Sequence, residues 1–238
     1  MKKRVVWTLL FIIFCSTGSA RTLIDSLELE VEIAIKTEEK LNAMYNLTHE
    51  LSMRNPSLAH QKVLAYLDLA KTNKNQFETA RAHYLLGIIL HLKTEFGEAM
   101  KELHKALIMF EEQKNKKYIA ETNVALSSLY QISGNYDASI TRLQYGMDYF
   151  SKTNNLNRKA DLAFNMGNLQ SYMGQYDSSL YYFQIAENLF DKVDDELGKG
   201  RLYLCTGSVL NMKKDHDLSF IYSNKAAALT KKQVICSD

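Results

Sequence analysis

The sequence contains few residues that break helices. Its 238 residues include one proline and ten glycines. An all-β fold needs many more turn residues than this, whereas long uninterrupted helices are compatible with so few breakers. Hydrophobic residues make up 46% of the chain and charged residues 24%, which is typical of a globular protein with a sizeable core. The composition therefore favours a helical protein over an all-β one.

The first twenty residues, MKKRVVWTLLFIIFCSTGSA, differ from the rest of the chain. Three basic residues at positions 2–4 precede an eleven-residue apolar run, Val5–Cys15, and small residues follow as far as Ala20. These are the three regions of a secretory signal, so we expect cleavage after Ala20 and a periplasmic or extracellular protein. One alternative is an N-terminal membrane anchor, although a spanning helix needs about 20 apolar residues. A lipid-modified Cys15 is a second alternative, which the bulky Phe14 before it disfavours.

Without that segment the chain has no surplus of positive charge, because 26 Lys and Arg residues face 27 Asp and Glu residues. Nucleic-acid binding depends on neutralising phosphates, so we expect no nucleic-acid partner. Two cysteines remain, Cys205 and Cys236. They could pair in an oxidising compartment, but one bridge makes no disulfide framework. A buried thiol and a tail thiol are the favoured interpretation.

A forty-residue repeat runs through the chain. The sequence GNYDASI at Gly134–Ile140 returns as GQYDSSL at Gly174–Leu180. When the sequence is aligned with itself in blocks of forty residues, five positions of the block, called columns here, keep the same class of residue. Three columns are small, one is large and mostly apolar, and one is aromatic: Gly87, Ser127, Gly167, Gly207; Ala106, Gly146, Ala186, Ala226; Ala99, Ser139, Ser179, Ser219; Met100, Ile140, Leu180, Phe220; and Phe96, Tyr136, Tyr176, His216.

Each unit divides into two helical halves with apolar residues at helical spacing. Gly134 and Gly174 lie between the halves, where a left-handed residue is expected to end the first helix. Asp137 follows in the first turn of the second helix, where its charge suits the helix dipole. A glycine inside a helix costs about 1 kcal/mol relative to alanine. We therefore expect Gly167 and its counterparts to allow close approach of a neighbouring helix, with an aromatic ring across the gap.

This pattern resembles the tetratricopeptide repeat (TPR). The clearest instance consists of Gly167, Gly174, Tyr176, Phe183 and Ala186. Units of forty residues are longer than the family's usual unit of about 34, and the proline that closes its second helix is absent. HEAT repeats have a similar period, but the clear units lack the proline of their first helix. The resemblance implies an all-α, right-handed α-solenoid of stacked helical hairpins.

The repeats give a domain organisation after the signal segment, residues 1–20. A capping helix is predicted at 21–39, with its amphipathic part at Asp25–Thr37. Repeats are then expected at 40–79, where Pro56 makes the unit degenerate, and at 80–119, 120–159, 160–199 and 200–238. The last unit has no polar cap of the kind that solenoids need. We therefore expect either a shortened relative of a longer protein or self-association through the C-terminal end.

The residue pattern contains no recognisable catalytic or metal motif. The six histidines are spread over different helices, and HExxH, CxxC and Gly-rich phosphate loops are absent from the sequence. Asp215–Asp217 and Asp194–Glu196 fall in turns, where solvated charges are the ordinary interpretation. The sequence thus predicts no cofactor, no metal and no enzyme.

In the resembled family the first helix of each hairpin lines a concave face that binds a peptide or protein. The resemblance implies Tyr84 and Phe164 as anchors and Arg81 and Arg201 as carboxylate contacts. A full carboxylate clamp is not assigned, because Phe164 and Cys205 stand where it needs polar groups. The complete implied set is Arg81, Tyr84, Ile88, His91, Glu121, Val124, Ser128, Gln131, Asp161, Phe164, Asn168, Ser171, Arg201, Leu204, Ser208 and Asn211.

These expectations favour an exported protein-interaction scaffold with a peptide or protein ligand. A signal peptide followed by long TPR units is also similar to the exported input region of bacterial (Bacteroidetes-like) sensory proteins, which implies a role in signal transduction. Two alternatives remain open. The chain could be an assembly subunit that forms a homo-oligomer through its C-terminal end, or an enzyme with an unrecognised site.

Overall fold

The computed structural model describes the backbone of residues 23–236 and the side chains as far as Leu229. The predicted signal segment, its cleavage site and the Cys236 thiol lie outside this range. The described residues form helices and no strands. In order, the helices are α1 Leu23–Ile33, α2 Thr37–Arg54, α3 Pro56–Thr72, α4 Gln76–Leu92, α5 Phe96–Glu112, α6 Lys116–Ile132, α7 Tyr136–Ser151, α8 Leu156–Tyr172, α9 Tyr176–Lys192, α10 Glu196–Met212 and α11 His216–Cys236.

The helices divide into two compact units, with the division between Glu95 and Phe96. In unit one, α1 packs on α2, α2 on α3, and α4 on both α2 and α3. In unit two, each helix from α5 to α11 packs on the next, and α8 also contacts α10. Within unit two the predicted helical hairpins are α6 with α7, α8 with α9, and α10 with α11. No helix among the described residues is long and apolar enough to cross a membrane.

The N-terminal cap is shorter than the sequence suggested. The helix predicted over Asp25–Thr37 ends at Ile33, and Thr37 begins the next helix. Lys36 has an extended backbone at the N-cap position, and Glu38 and Glu39 occupy the first turn of α2. Acidic residues stabilise a helix N-terminus, which explains why a new helix begins here.

The turns between helices repeat every twenty residues rather than every forty, since the helices from α4 onward begin at 76, 96, 116, 136, 156, 176, 196 and 216. Gly134 and Gly174 have φ of +75° and +74°, which confirms the predicted left-handed C-terminal residues. Lys74, Thr94, Lys114, Asp194 and Lys214 adopt the same conformation without being glycine. The next amide bonds back across the turn, as Asn135 N–H does to the Tyr130 carbonyl at 2.9 Å.

At most of these turns the residue before the helix caps it with its side chain. Asn135 Oδ1 accepts the Ala138 N–H at 3.2 Å, and Asp195 Oδ1 accepts the Gly198 N–H at 2.8 Å. The same bond is made by Asn55, Asn75, Asn115, Asn155 and Asp215. Gln175 occupies this position without a side-chain capping bond. A short turn and, at most boundaries, a capping side chain therefore define where the helices begin.

The core of unit two is built around the predicted small residues. A Cβ placed on Gly146 would lie 2.4 Å from Val124 Cγ2, and one on Gly207 would lie 3.3 Å from the Ser219 carbonyl oxygen. Tyr136 and Tyr176 pack against the two apolar clusters of this unit, as predicted. His216, the last member of the aromatic column, is exposed and lies 3.1 Å from Asn211 Oδ1. Phe96, the first member, is also exposed, at 36%, so Tyr136 and Tyr176 are the members that pack into these clusters.

Candidate functional site

A cleft of about 390 Å³ lies between the C-terminal halves of α8 and α10. These are the first helices of two successive hairpins in unit two. The cleft is lined by Asn168, Ser171, Tyr172, Tyr176, Cys205, Ser208, Val209 and Met212. Three of these, Asn168, Ser171 and Ser208, belong to the set implied by the family resemblance, and the structure brings them together.

The cleft is lined by both polar and apolar side chains: Val209 is 2% exposed, Asn168 is half-buried and Ser208 is exposed. Asn168 and Ser208 stand forty residues apart at matching positions on their helices. At the rim, Tyr172 and Met212 are also forty residues apart and are 66% and 61% exposed. Burial raises the pKa of the Cys205 thiol, which keeps it protonated and neutral at physiological pH. Such a lining can bond a peptide backbone through an amide and hydroxyls and can hold an apolar side chain at the rim.

The rim residues form a column that sequence reasoning overlooked. Stepping by forty residues gives Leu92, Ile132, Tyr172 and Met212, each the large apolar residue near the end of a first helix. Their exposed fractions are 41%, 51%, 66% and 61%. The period itself could have revealed this column. Its members looked like core residues, because periodicity shows which residue types recur but not which side chains a neighbouring helix buries.

Charged side chains of three first helices meet toward the N-terminal ends of these helices. Arg158 on α8 contacts the Glu121 carboxylate on α6 and lies 3.9 Å from Asp161. Asp161 is in turn 3.9 Å from Arg201 on α10. Burial raises the pKa of Asp161 despite both arginines. The four side chains alternate in sign across α6, α8 and α10, so they hold the hairpins in register and leave Arg201 at the exposed end.

Two residues of the implied set are buried instead of lining a surface. The Arg81 guanidinium lies 2.8 Å from Glu78 and 3.5 Å above the centre of the Tyr45 ring, with 8% of the residue exposed. It therefore binds a carboxylate of its own unit, which does not favour the predicted contact with a partner's carboxylate. Val124 is 4% exposed within an apolar cluster, where it fills the space opposite Gly146.

A buried polar cluster surrounds Arg81 in unit one. The hydroxyl of Tyr66 donates to Glu78, and the ring of Tyr66 lies edge-on to Tyr45. Burial, followed by the bond to Glu78, raises the pKa of Tyr66. Since the charges of Glu78 and Arg81 are paired with each other within the unit, the cluster offers no free charge to a ligand.

The remaining members of the implied set differ in exposure. Phe164 stacks on Phe183 with ring centroids 5.9 Å apart, which makes it partly a core residue. The half-buried members are Tyr84, Ile88, His91, Glu121, Ser128, Gln131, Asp161, Phe164, Asn168 and Ser171. The exposed members are Arg201, Leu204, Ser208 and Asn211. Their role in binding stays a prediction. Within residues 23–229, no three His, Cys, Asp or Glu side chains are grouped so as to hold a metal ion.

Comparisons with solved structures identify the fold. BtubC (BKLC) from P. vanneervenii matches with a TM-score of 0.72 and 13% identity, over 88% of this chain and 90% of that one. A STAND protein with a tetratricopeptide repeat sensor from Pyrococcus horikoshii matches with a TM-score of 0.71 and 15% identity, over 85% of this chain and 31% of that one. A Rap protein complexed with Competence and Sporulation Factor matches with a TM-score of 0.63 and 15% identity, over 87% and 57%.

The described chain therefore has a TPR-like, all-α solenoid fold, and this prediction is confirmed. It spans about a third of the STAND protein and somewhat more than half of the Rap protein. No protein-family model matches the sequence, and no curated protein matches it either. At these identities the similarity shows the fold alone.

Proposed function

We propose that this protein is an exported interaction scaffold that holds a peptide or protein segment in the cleft between α8 and α10. One observation carries the proposal: two successive first helices line one cleft with the polar side chains of Asn168 and Ser208 and with the exposed side chains of Tyr172 and Met212. Polar groups beside exposed apolar side chains suit an extended segment, whose backbone needs bonding partners and whose side chains need apolar contact.

The structural neighbours support the scaffold function. The Rap protein named above was crystallised with Competence and Sporulation Factor, so a protein with this type of fold binds a partner. The STAND protein carries its TPR segment as a sensor, which supports the finer proposal that this chain is an input region of a signal-transduction protein. Export is supported by the signal-like first twenty residues. N-terminal sequencing of the purified protein should give Arg21 as the first residue.

The cleft proposal is tested by filling the cleft. A library of random peptides is selected on the immobilised protein, and the affinity of an enriched peptide is then measured by calorimetry. Ser208→Trp places an indole in the cleft and should weaken binding about tenfold or more. Ser178→Trp adds the same side chain at an exposed position of α9 outside the cleft and should leave the affinity unchanged.

The chemistry of the enriched peptides gives a second criterion. Peptides that bind the cleft should share a hydrophobic or aromatic residue, and Met212→Ser should weaken them by about 1–2 kcal/mol through lost apolar contact. If no peptide is enriched, or if enriched peptides bind Ser208→Trp as tightly as the wild type, the cleft is not the binding site.

A further inference from the structure

Charge is distributed unevenly along the first helices of unit two, α6, α8 and α10. Each of these helices has three charged residues among its first eight positions. Their last nine positions, 124–132, 164–172 and 204–212, contain no Asp, Glu, Lys or Arg, although 24% of the whole chain is charged. Seven of the eight residues that line the cleft between α8 and α10 belong to these uncharged halves.

Two ion pairs border the cleft, one at each end. Toward the N-terminal ends of the helices, Asp161 of α8 lies 3.9 Å from Arg201 of α10. The ladder of side chains that contains this pair has two cations and two anions. At the opposite end, the Asp177 carboxylate contacts the Lys213 ammonium group, and each of these residues directly follows a residue of the lining. The charges that border the cleft therefore already have partners of opposite sign.

The helix backbones add a weak negative field to the cleft. Tyr172 and Met212, which line it, are the last residues of α8 and α10. A helix C-terminus carries a partial negative charge of about half an elementary charge. This field is unfavourable to a carboxylate and mildly favourable to an ammonium group or an N–H donor. The lining side chains themselves are neutral, including the protonated Cys205 thiol.

The uncharged part of the cleft has the length of a short extended segment. The nine residues 204–212 rise about 13 Å along α10 at about 1.5 Å per residue. An extended chain advances about 3.3 Å per residue, so about four residues span that distance. Over this length the cleft offers the polar groups of Asn168 and Ser208 and the apolar side chains of Tyr172 and Met212.

We propose that the segment held in the cleft is uncharged over about four consecutive residues and is internal to its chain. This inference rests on the proposed function, since it describes the ligand of the same cleft. A charged side chain would lose part of its hydration there without gaining a counter-charge, which is unfavourable. A chain end would bring a carboxylate or an ammonium group, so the segment is an internal one. Amide, hydroxyl and hydrophobic side chains match the lining.

Charged variants of one peptide test the inference. The starting ligand is a peptide enriched in the selection described above, with both ends blocked, and its contacting residues are located by alanine substitution. Changing one uncharged contacting residue to Glu should weaken binding about tenfold or more, and changing it to Lys should weaken binding less, because the helix ends disfavour the anion. Raising the salt from about 0.05 M to about 0.5 M should change the affinity of the starting peptide less than about twofold.

A charge placed in the cleft should change this selectivity. Asn168→Asp puts an anion of nearly the same size in the lining. The variant should bind the Lys-substituted peptide about fivefold or more tightly than the wild type does, and the Glu-substituted peptide more weakly. Ser178→Asp adds the same charge at an exposed position of α9 outside the cleft, and should leave the order of affinities unchanged. Circular dichroism verifies that each variant is folded.

The outcomes separate this inference from the proposed function. If Ser208→Trp weakens binding but the Glu-substituted peptide binds the wild type as tightly as the starting peptide, the cleft is the binding site and the inference is wrong. Enriched peptides that share a required charged residue among the contacting positions, or an affinity that falls steeply with salt, overturn it in the same way. If no peptide is enriched, or if Ser208→Trp has no effect, the proposed function fails and this inference fails with it.

Discussion

Phe183 lies directly against Gly167, so that a Cβ placed on the glycine would be 2.4 Å from Phe183 Cδ1 and 3.2 Å from the Ser179 carbonyl oxygen. The ring is 2% exposed and belongs to the apolar cluster that joins α8, α9 and α10. This contact explains why a glycine is present in the middle of α8 despite its cost to the helix. The hairpin closes only because the glycine leaves room for the ring.

Gly167→Ala should therefore destabilise the protein. The added methyl group would meet a buried ring on one side and backbone on the other, and overpacking of this kind costs about 1–3 kcal/mol. Urea unfolding followed by circular dichroism gives the change in midpoint. Gly200→Ala is the matched control, because nothing lies within 4 Å of its added Cβ in α10. It should stabilise by about 0.5–1 kcal/mol, and a loss of stability there would contradict the packing account.

Substitutions at equivalent positions of two turns should change the stability in opposite directions. Gly174 has φ of +74°, so Gly174→Ala should cost about 1–2 kcal/mol from the left-handed conformation alone. Lys114 occupies the matching place in an earlier turn with φ of +54°. Lys114→Gly should relieve that strain and raise the unfolding midpoint. Glycine also adds conformational entropy to the unfolded chain, which reduces this gain. Equal effects of the two substitutions would show that the conformation of these turns does not limit stability.

Gln175→Asn should stabilise the start of α9. Gln175 has no side-chain capping bond, whereas asparagine at the same place in other turns accepts the amide three residues later. The shorter side chain should add about 0.5–1 kcal/mol, measured by thermal unfolding. The reciprocal change is Asn135→Ala, which removes an existing cap and should cost about 1 kcal/mol. A lower melting temperature for Gln175→Asn would show that the side-chain oxygen at position 175 does not accept the Ser178 N–H.

His104 should make stability depend on pH. Burial, together with the nearby Arg142, lowers the pKa of His104 below its usual value of 6.5. The unfolded chain therefore takes up a proton more readily than the folded one, and stability is lost as the pH falls below about 6.5. His104→Gln should reduce the loss of stability between pH 7 and pH 5 in urea titrations. Part of the pH dependence of stability should remain in His104→Gln, because burial also lowers the pKa of His91.

The alkaline side provides the control for His104. Between pH 9 and pH 8 the histidine is almost entirely neutral in both states, so wild type and variant should change by the same amount. A variant that loses as much stability as the wild type between pH 7 and pH 5 would show that His104 is protonated equally in the folded and unfolded chains.

The helical hairpins were predictable because the glycines and small residues that they require recur at fixed positions in the sequence. Gly134 and Gly174 indicated the left-handed turns, and Gly167 indicated a close contact before any neighbour was known. The capping residues were less visible, because asparagine and aspartate share the position with Gln175, and the residue types alone do not show that Gln175 makes no capping bond. The left-handed turns at Lys114 and Asp194 could not be predicted for a similar reason, since neither residue type requires that conformation.

The surface residues were harder to predict. Arg81 and Val124 share their register with exposed residues of other repeats, yet one is paired with Glu78 and the other packs opposite Gly146. A position in a repeat fixes the direction of a side chain on its helix. Its burial depends on the size and charge of what the neighbouring helix brings to that place.

The sequence alone determined the helical hairpin and its spacing, because backbone conformation and close helix contact depend on residues near each other in the chain. Only the tertiary structure decided which side chains remain open to a ligand. The cleft between α8 and α10 combines residues from two helices forty positions apart. Its polar groups lie beside exposed apolar side chains because adjacent hairpins cover some positions and leave others exposed, and that depends on packing between units of the repeat.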